Sequence, residues 1–227
     1  MKRSKPLAIL MSAAIALALL TGAIAAPILC RPFYYAHIGP LRLVERTGWT
    51  EEEIKTAFDE MLDYCLGGGE FSTGVLKWSE SGKSHFTDVR FLFQLDLNVL
   101  ACSLGLLTAL VFLSCRGRQR PASLLGRGPA FWAGAGLGTV FLIVAALAAM
   151  DFDRAFVVFH ALFFPGKTNW LFDPNEDQII NILPQEFFRS CAILIFGILL
   201  VGCAALIAFD LARKRGRGET HSKLQKF

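Results

Sequence analysis

Long apolar runs separated by polar segments are the main feature of this chain. A helix needs about 20 residues to cross the ~30 Å hydrocarbon layer of a bilayer, and four runs approach or exceed that length. None shows the two-residue alternation of a membrane β-barrel strand, so a helix is the form that satisfies their backbone in lipid. The pattern predicts an all-α membrane protein with four transmembrane helices. The runs lie at residues 7–29, 92–113, 131–150 and 187–209.

The polar segments complete the division of the chain. Residues expected to begin or end a helix extend some of the predicted helices beyond their apolar runs. The first and third connections are much longer than the second. The predicted order is transmembrane helix 1 at 7–29, a small extracytoplasmic cap at 30–84, an interfacial start and transmembrane helix 2 at 85–115, a cytoplasmic loop at 116–128, transmembrane helix 3 at 129–150, an extracytoplasmic aromatic segment at 151–183, transmembrane helix 4 at 184–209, and a basic cytoplasmic tail at 210–227.

Charge sets the expected orientation. Lysine and arginine gather before the first run, between the second and third, and after the fourth, whereas most acids lie in the other two connections. The positive-inside rule therefore places both termini in the cytoplasm and the acidic connections outside. The net charge of +4 is explained by topology and by contact with anionic lipid, so no nucleic-acid partner is expected. A hydrophobic content of 54% also excludes an ordinary soluble domain.

The first run has a second interpretation as a signal peptide. A charged start, an apolar stretch and the small residues Ala23 and Ala25 resemble a cleavage site, and cleavage would leave three spans. We favour retention because the apolar run continues through Leu29 and approaches a full crossing. Lipid attachment at Cys30 is not expected, since Leu29 stands where a small residue is needed. The six cysteines form neither a disulfide framework nor a zinc pattern.

The cap contains one predicted helix. Thr50 and Glu53 have the spacing of a capping box, and apolar residues then recur at helical intervals until the glycines at 67–69 stop the pattern. The helix has about four turns and one apolar stripe. Alternation between Phe71 and Trp78 suggests a short extended or hairpin piece before residue 84.

Two histidines carry the candidate chemistry. His85 precedes the second span and His160 follows the third, so both fall on the same side of the bilayer at similar depth. Asp88 lies three residues after His85, where a helix puts both on one face, and a carboxylate there can hold the imidazole in one tautomer as a general base needs. The structural alternatives are an interfacial histidine with a helix-start carboxylate, and for His160 a packing role in the aromatic series that starts at Phe152.

Other chemistries lack a signature. A histidine pair with nearby aspartates invites a metal, but no ligand spacing such as HExxH supports one. Hydrolysis by serine or cysteine lacks a GxSxG elbow or an outer cysteine beside a histidine. Asp96 and Asn98 lie inside the second span and are expected to face the bundle interior, as structural hydrogen-bonding groups or, for Asp96, a proton relay. We expect neither a metal nor a cofactor.

Three motifs together resemble one known family. The chain has SHFTDV at 84–89, FHALFF at 159–164 and NWLFDP at 169–174, in a four-span layout. In this order they are similar to the bacterial lipoprotein intramolecular transacylase family. The likeness covers nearly the whole chain in layout, and is weak in the cap up to residue 69 and in the spans.

The resemblance implies an acyltransferase whose catalytic histidines, matching His85 and His160, lie where the cap meets the outer face of the membrane. The implied reaction moves an acyl chain from the sn-2 glyceryl oxygen of a diacylglyceryl-modified lipoprotein to the α-amine of its N-terminal cysteine, which gives a lyso-form lipoprotein.

Two histidines can divide the proton transfers of this aminolysis. We expect His85 to serve as base with Asp88 and His160 to act on the ester side, although sequence alone leaves these roles open. Arg90, Asn169 or backbone amides are the candidates for stabilising an oxyanion, and the aromatic rings are either acyl-chain walls or an interfacial belt. The residues expected to bind or orient the substrate are Asp88, Arg90, Phe163, Asn169, Trp170 and Asp173.

Two other functional classes stay open at this stage. One is a different membrane lipid acyl-transfer or hydrolytic enzyme that uses the same histidines on phospholipid. The other is a non-catalytic transporter or scaffold in which the histidines gate or pack. Membrane lipid is an expected partner in every case, and the oligomeric state is not encoded in any recognisable pattern.

Overall fold

A computed structural model describes residues 2–117 and 119–224, with side chains for 3–117 and 119–214. Arg118 of the expected cytoplasmic loop and residues 225–227 of the expected tail lie outside these ranges. Two short strands, β1 (Lys2–Ser4) and β2 (Gln119–Pro121), pair in parallel. The helices are α1 (Lys5–Leu29), α2 (Arg31–Ile38), α3 (Leu43–Thr47), α4 (Glu51–Cys65), α5 (Glu80–Cys115), α6 (Pro129–Met150), α7 (Phe152–Phe163), α8 (Ile179–Ile182) and α9 (Gln185–Leu224).

Four of these helices, α1, α5, α6 and α9, are long and apolar enough to cross a membrane. The predicted fold class, an all-α membrane protein with four transmembrane helices, is confirmed. Helix α5 has 36 residues, which at ~1.5 Å per residue exceeds the thickness of the hydrocarbon layer. The helix is therefore longer than a membrane crossing requires, and His85 lies in its first turns.

The chain forms two compact units. One unit comprises residues 24–97 and 146–195 and contains the cap helices, the first turns of α5 and the whole of α7. In the other unit, glycines allow helices α6 and α9 to approach closely: a Cβ on Gly134 would stand 2.7 Å from the Cys203 carbonyl oxygen. Close approach through small residues is the usual way in which membrane helices pack, since lipid provides no hydrophobic drive between them.

Helix α4 organises the core of the cap. The expected capping box is present, because Thr50 accepts a hydrogen bond from the Glu53 backbone and Glu53 accepts one from the Thr50 backbone. The predicted stripe is buried against residues 179–187, and Tyr34 joins the two by stacking on Phe58 at 3.7 Å and donating to the Ile182 carbonyl. The buried residues of α4 are Ile54, Ala57, Phe58, Met61, Leu62, Tyr64 and Cys65.

Of the extended or hairpin piece expected after the glycines at 67–69, the hairpin is wrong. The structure describes a loop without strands between residues 66 and 79. Its polar groups bind side chains instead of a second strand: Glu60 accepts from the Gly74 backbone at 2.7 Å, and Thr73 donates to the Leu76 carbonyl at 2.8 Å. Phe71 and Leu76 are buried. The alternation of apolar residues therefore reflects a loop whose apolar side chains pack inward. Helix α5 begins at Glu80, too soon after this loop for a second strand to form.

The start of helix α5 is fixed by a buried carboxylate from a distant part of the chain. Asp177 accepts hydrogen bonds from both the backbone and the hydroxyl of Ser79, each at 2.8 Å. The Ser79 hydroxyl in turn accepts from the Gly82 backbone at 3.0 Å. Gln178 and Lys77 exchange two further hydrogen bonds beside them. These contacts set the position of the turn that precedes His85.

Gly82 tests this arrangement, because a Cβ there would stand 2.0 Å from Asp177 Oδ1. We expect Gly82→Ala to force Asp177 away from Ser79 and to lower the free energy of unfolding by about 1–3 kcal/mol, the usual cost of overpacking. Thermal unfolding in detergent micelles measures the shift in midpoint. Gly39→Ala is the matched control, since Gly39 has helical dihedral angles and no atom lies within 4 Å of its added Cβ. Equal midpoints for the two variants would contradict the role of the Asp177 contact.

Candidate active site

His85 and His160 lie side by side. Their ring centroids are 5.9 Å apart and the ring planes differ by 30°. Both residues are buried, with 5% and 8% of their surface exposed. Helix α5 supplies one and helix α7 the other, although 75 positions separate them in the sequence, counted from their residue numbers. The two histidines, which the sequence predicts on one side of the bilayer at similar depth, form a single buried pair.

The imidazole of His160 is held in one orientation. Its Nδ1 lies 2.8 Å from the backbone carbonyl oxygen of Phe156, and a carbonyl can only accept, so Nδ1 carries the proton. Trp170 stacks on the ring at 4.5 Å, and the Phe156 ring lies at 4.3 Å. The neutral ring therefore has its free lone pair on Nε2. Burial lowers the pKa of His160 below its usual 6.5, against an opposing contribution from the Phe156 carbonyl.

The imidazole of His85 is enclosed by aromatic rings. Phe164 lies 4.9 Å away and Phe172 lies 5.4 Å away, both edge-on. Its Nδ1 is buried, and within the part of the chain that the structure describes it has no hydrogen-bond partner. A buried polar atom without a partner costs free energy, and such atoms in native proteins deserve a functional explanation. This nitrogen is available to a polar group that enters the site.

Asp88 does not bond to the imidazole of His85 in the structure. Its carboxylate forms an ion pair with Lys167 and accepts from the Asn169 amide nitrogen at 3.1 Å. Helical spacing puts Asp88 and His85 on one face, as expected, but the carboxylate is occupied by two groups from the segment after α7. The reason for expecting Asp88 to hold the imidazole tautomer is therefore removed.

Residues 164–178, which connect α7 to α8, form a strap across the histidine pair. Near its start, Lys167 and Asn169 bind Asp88, and at its end Asp177 binds Ser79. Between these two attachments Trp170 stacks on His160, while Phe172 stacks on Phe86 at 5.7 Å and meets the edge of His85. The strap thus places Phe164 and Phe172 against His85 and Trp170 against His160, and both imidazoles are buried beneath it.

Comparison with known proteins identifies the family. Residues 9–188 match the family described as lipoprotein intramolecular transacylase Lit. This chain belongs to that family. The resemblance drawn from the sequence motifs is confirmed, and the protein is a membrane acyltransferase of the intramolecular transacylase type.

Solved structures of the transacylase Lit share this fold. The in meso structure of the membrane integral lipoprotein intramolecular transacylase Lit from Bacillus cereus has a TM-score of 0.80 and 26% identity, and the match covers 92% of this chain and 96% of that chain. A structure of the same protein with an H85A mutation, in its own numbering, has a TM-score of 0.74 and 24% identity over 92% and 94% of the two chains. No match was found among curated protein sequences.

Three other expected site residues of this transacylase are engaged elsewhere. Arg90 lies over the Tyr64 ring at 4.9 Å and donates to the Gly67 carbonyl, so it ties α5 to the end of α4. Asp173 is exposed and accepts from the Asn175 backbone within the strap. Phe163 is exposed and packs on its neighbour Phe159 at 4.7 Å. None of these contacts reaches an imidazole.

Asn169 has a defined amide orientation. Its nitrogen donates to Asp88, a carboxylate that can only accept, and lies 3.4 Å from the Ser84 hydroxyl. Its oxygen is buried without a partner among the residues described. The amide nitrogen is therefore committed and the oxygen is free to accept, which is the opposite of what an oxyanion stabiliser requires.

Lys167 was not anticipated from the sequence. It follows a Pro-Gly turn in an irregular segment and meets Asp88 from 79 positions away. No helical or strand period links two such positions, so the sequence contained no signal for the pair. The aromatic enclosure was partly visible, since Trp170 and Phe172 belong to the motif that follows His160.

The tautomer of His160 can be measured directly. We expect nitrogen NMR of the imidazoles in micelles to show His160 protonated at Nδ1 and neutral at pH 7, with a pKa below 6.5 because of burial. His37 provides an internal reference for the tautomer, since its Nδ1 lies 2.7 Å from the Phe33 carbonyl oxygen outside the site. A His160 ring protonated at Nε2 would overturn the assignment.

Proposed function

We propose that this transacylase moves the acyl chain from the sn-2 glyceryl oxygen to the α-amine of the N-terminal cysteine of a diacylglyceryl lipoprotein, and that His85 and His160 carry the proton transfers. The product is a lyso-form lipoprotein. The observation that carries the proposal is the buried imidazole pair, 5.9 Å apart beneath one strap. Family membership supplies the reaction class, and the geometry supports the residue roles.

The chemistry needs two proton transfers and no co-reactant. The amine nitrogen attacks the ester carbonyl and must lose a proton, and the glyceryl oxygen must gain one as its bond to the acyl carbon breaks. Donor and acceptor belong to one molecule, so holding them in a reactive geometry can lower the barrier by up to ~7–11 kcal/mol. A closed, aromatic-lined site favours the amine over water as the acceptor.

The geometry favours His160 as the base. Its Nδ1–H is bound to the Phe156 carbonyl, so Nε2 presents a lone pair to the amine, as in a catalytic histidine oriented by a hydrogen bond on its other nitrogen. Because its pKa is lowered by burial, this lone pair is present at neutral pH and is lost only as the pH falls through that lowered value. These roles reverse the assignment suggested by the spacing of His85 and Asp88.

His85 is then the group on the ester side. Among the residues described, its Nδ1 has no competing partner, so it can donate to the departing glyceryl oxygen or bind the ester before reaction. The proton that His160 takes from the amine passes to His85 as His85 gives its own proton to the glyceryl oxygen, so both rings are neutral when the amide has formed. No charge has to remain buried between turnovers.

Asn169 positions the amine in this proposal. Its Oδ1 is a buried acceptor directed by the fixed contact of its Nδ2 with Asp88. An amine can donate one N–H to that oxygen and another to Nε2 of His160, which leaves its lone pair free to attack the ester carbonyl. The strap must move locally for this contact, because Oδ1 of Asn169 is buried in the structure.

The proposed setting is the outer face of the bacterial cell membrane, with both termini in the cytoplasm. The distribution of lysine and arginine along the chain supports this orientation. The protein partner is the diacylglyceryl lipoprotein itself, which reaches the site within the lipid layer.

Removal of either imidazole tests the catalytic roles. We expect His85→Ala and His160→Ala to lower transacylation by about 10²–10⁴-fold, the usual contribution of a general acid or base. The variants are expressed in a host whose lipoproteins are diacylated, and mass spectrometry locates the acyl chains on the N-terminal peptide. His37→Ala is the control, because His37 lies in α2 and packs on Phe33 and Phe187, away from the pair.

The outcomes separate this function from its alternatives. Lyso-form product that persists in both alanine variants would remove the histidines from the chemistry. Loss of phospholipid acyl chains, with lipoproteins unchanged, would favour an enzyme that acts on membrane phospholipid. Absence of any acyl change with the wild-type protein would favour a transporter or scaffold.

The role of Asp88 is tested by a double-mutant cycle. If Asp88 acts by holding the strap through Lys167, Asp88→Asn and Lys167→Met each slow transacylation, and the double variant is little slower than the worse single variant. We expect a coupling energy of about 0.5–3 kcal/mol in the rate, as for residues in direct contact. Additive effects would instead indicate that Asp88 acts independently of Lys167, through Asn169 or on the imidazole of His85.

A further inference from the structure

Helix α7 exposes an apolar face beside the buried histidine. Leu162 is 71% exposed, and its neighbours along the helix are exposed as well. No charged residue interrupts this face between Ala155 and Phe164. The exposed large apolar residues of α7 are Val157, Val158, Phe159, Leu162 and Phe163; we call them the α7 face.

The polarity of α7 is the reverse of a helix on a soluble protein. Such a helix buries its apolar side and turns polar residues outward, whereas α7 buries the imidazole of His160 and exposes aliphatic and aromatic side chains. A contiguous apolar surface of this kind marks a contact with another molecule or with a membrane. Water is therefore not the expected environment of the α7 face.

The adjoining span identifies the environment as lipid. Helix α6 ends at Met150 and only Asp151 separates it from α7. In the last turn of α6, Leu147 and Met150 are 62% and 83% exposed, which a transmembrane helix permits because these residues contact hydrocarbon. The α7 face continues this lipid-contacting surface along the chain.

Charged residues near α7 support the same environment. Asp153 and Arg154 lie exposed in the first turn, and Lys167 follows the last turn. Charges at the two ends of an apolar face can reach headgroups and water while the face itself contacts acyl chains, as in helices that lie in a membrane interface.

We propose that the α7 face is a lipid contact, with outer-leaflet acyl chains packed on Val158, Phe159, Leu162 and Phe163. His160 then lies on the protein side of a helix whose other side is in hydrocarbon. One consequence rests on the proposed function: the diacylglyceryl group can reach the imidazole pair from the lipid layer, without passing through water.

A photo-crosslinking amino acid at position 162 tests the contact. Full-length protein with a benzophenone side chain in place of Leu162 is reconstituted into phosphatidylglycerol and phosphatidylethanolamine vesicles, irradiated and examined by intact-protein mass spectrometry. We expect phospholipid adducts in a yield equal to that from the same replacement at Ile193, an exposed residue of the α9 span. Replacement at Glu52, exposed on the polar side of α4, is the control that should give none.

Each outcome decides the proposal. Phospholipid adducts at 162 and 193, with none at 52, support it. Crosslinked dimers at 162 would show that a second copy covers the face, and a yield at 162 as low as at 52 would place it in water; either result overturns the proposal. Unfolding midpoints equal to wild type show that a low yield does not come from misfolding. Crosslinking does not depend on transacylation, so failure of the proposed reaction would leave this readout unchanged.

Discussion

The attachment of the strap to helix α5 is the constraint on which the site depends. Two carboxylates make it: Asp177 binds Ser79 at the start of the helix, and Asp88 binds Lys167 and Asn169 nine residues further along, by their numbering. Without both contacts, the strap would not hold Trp170 and Phe172 on the imidazoles. An irregular segment has no backbone ladder of its own, so its position is set by a few side-chain bonds. In the proposed mechanism, pre-organisation of the site therefore depends on residues that do not touch the reacting atoms.

The reaction itself explains why the site is closed and aromatic. Acyl transfer within one lipoprotein needs neither a cofactor nor water, and water would compete with the amine for the acyl carbon. In the proposed mechanism, the rings that enclose His85 and His160 exclude this competitor and hold the flexible substrate in a bent form. If the α7 face contacts lipid as proposed, the acyl chains of the substrate approach through hydrocarbon and themselves help to keep water out.

The sequence predicted the features that follow a period or a local rule. Apolar run lengths predicted the four spans, and the spacing of Thr50 and Glu53 predicted the N-terminal capping box of α4. The structure confirms both. The hairpin before residue 79 was wrong because alternation also arises in a loop whose apolar side chains pack inward. The partners of Asp88 could not be predicted, since side-chain pairing between a helix and a distant irregular loop follows no period. The same holds for Asp177 and Ser79, 98 positions apart.

The group that orients His160 is a neutral backbone carbonyl, which avoids the free-energy cost of burying a charge near a membrane. A carboxylate beside a buried imidazole would have to lose its hydration, and an unpaired buried charge is far more expensive than a buried neutral dipole. The Phe156 carbonyl fixes the same tautomer without any charge, and helix geometry supplies it from four residues earlier on α7. Asp88 is placed where Lys167 neutralises it and part of its side chain is exposed. The chain thus keeps charge at the edge of the site and leaves neutral groups at the centre, where the proposed mechanism brings the ester and the amine together.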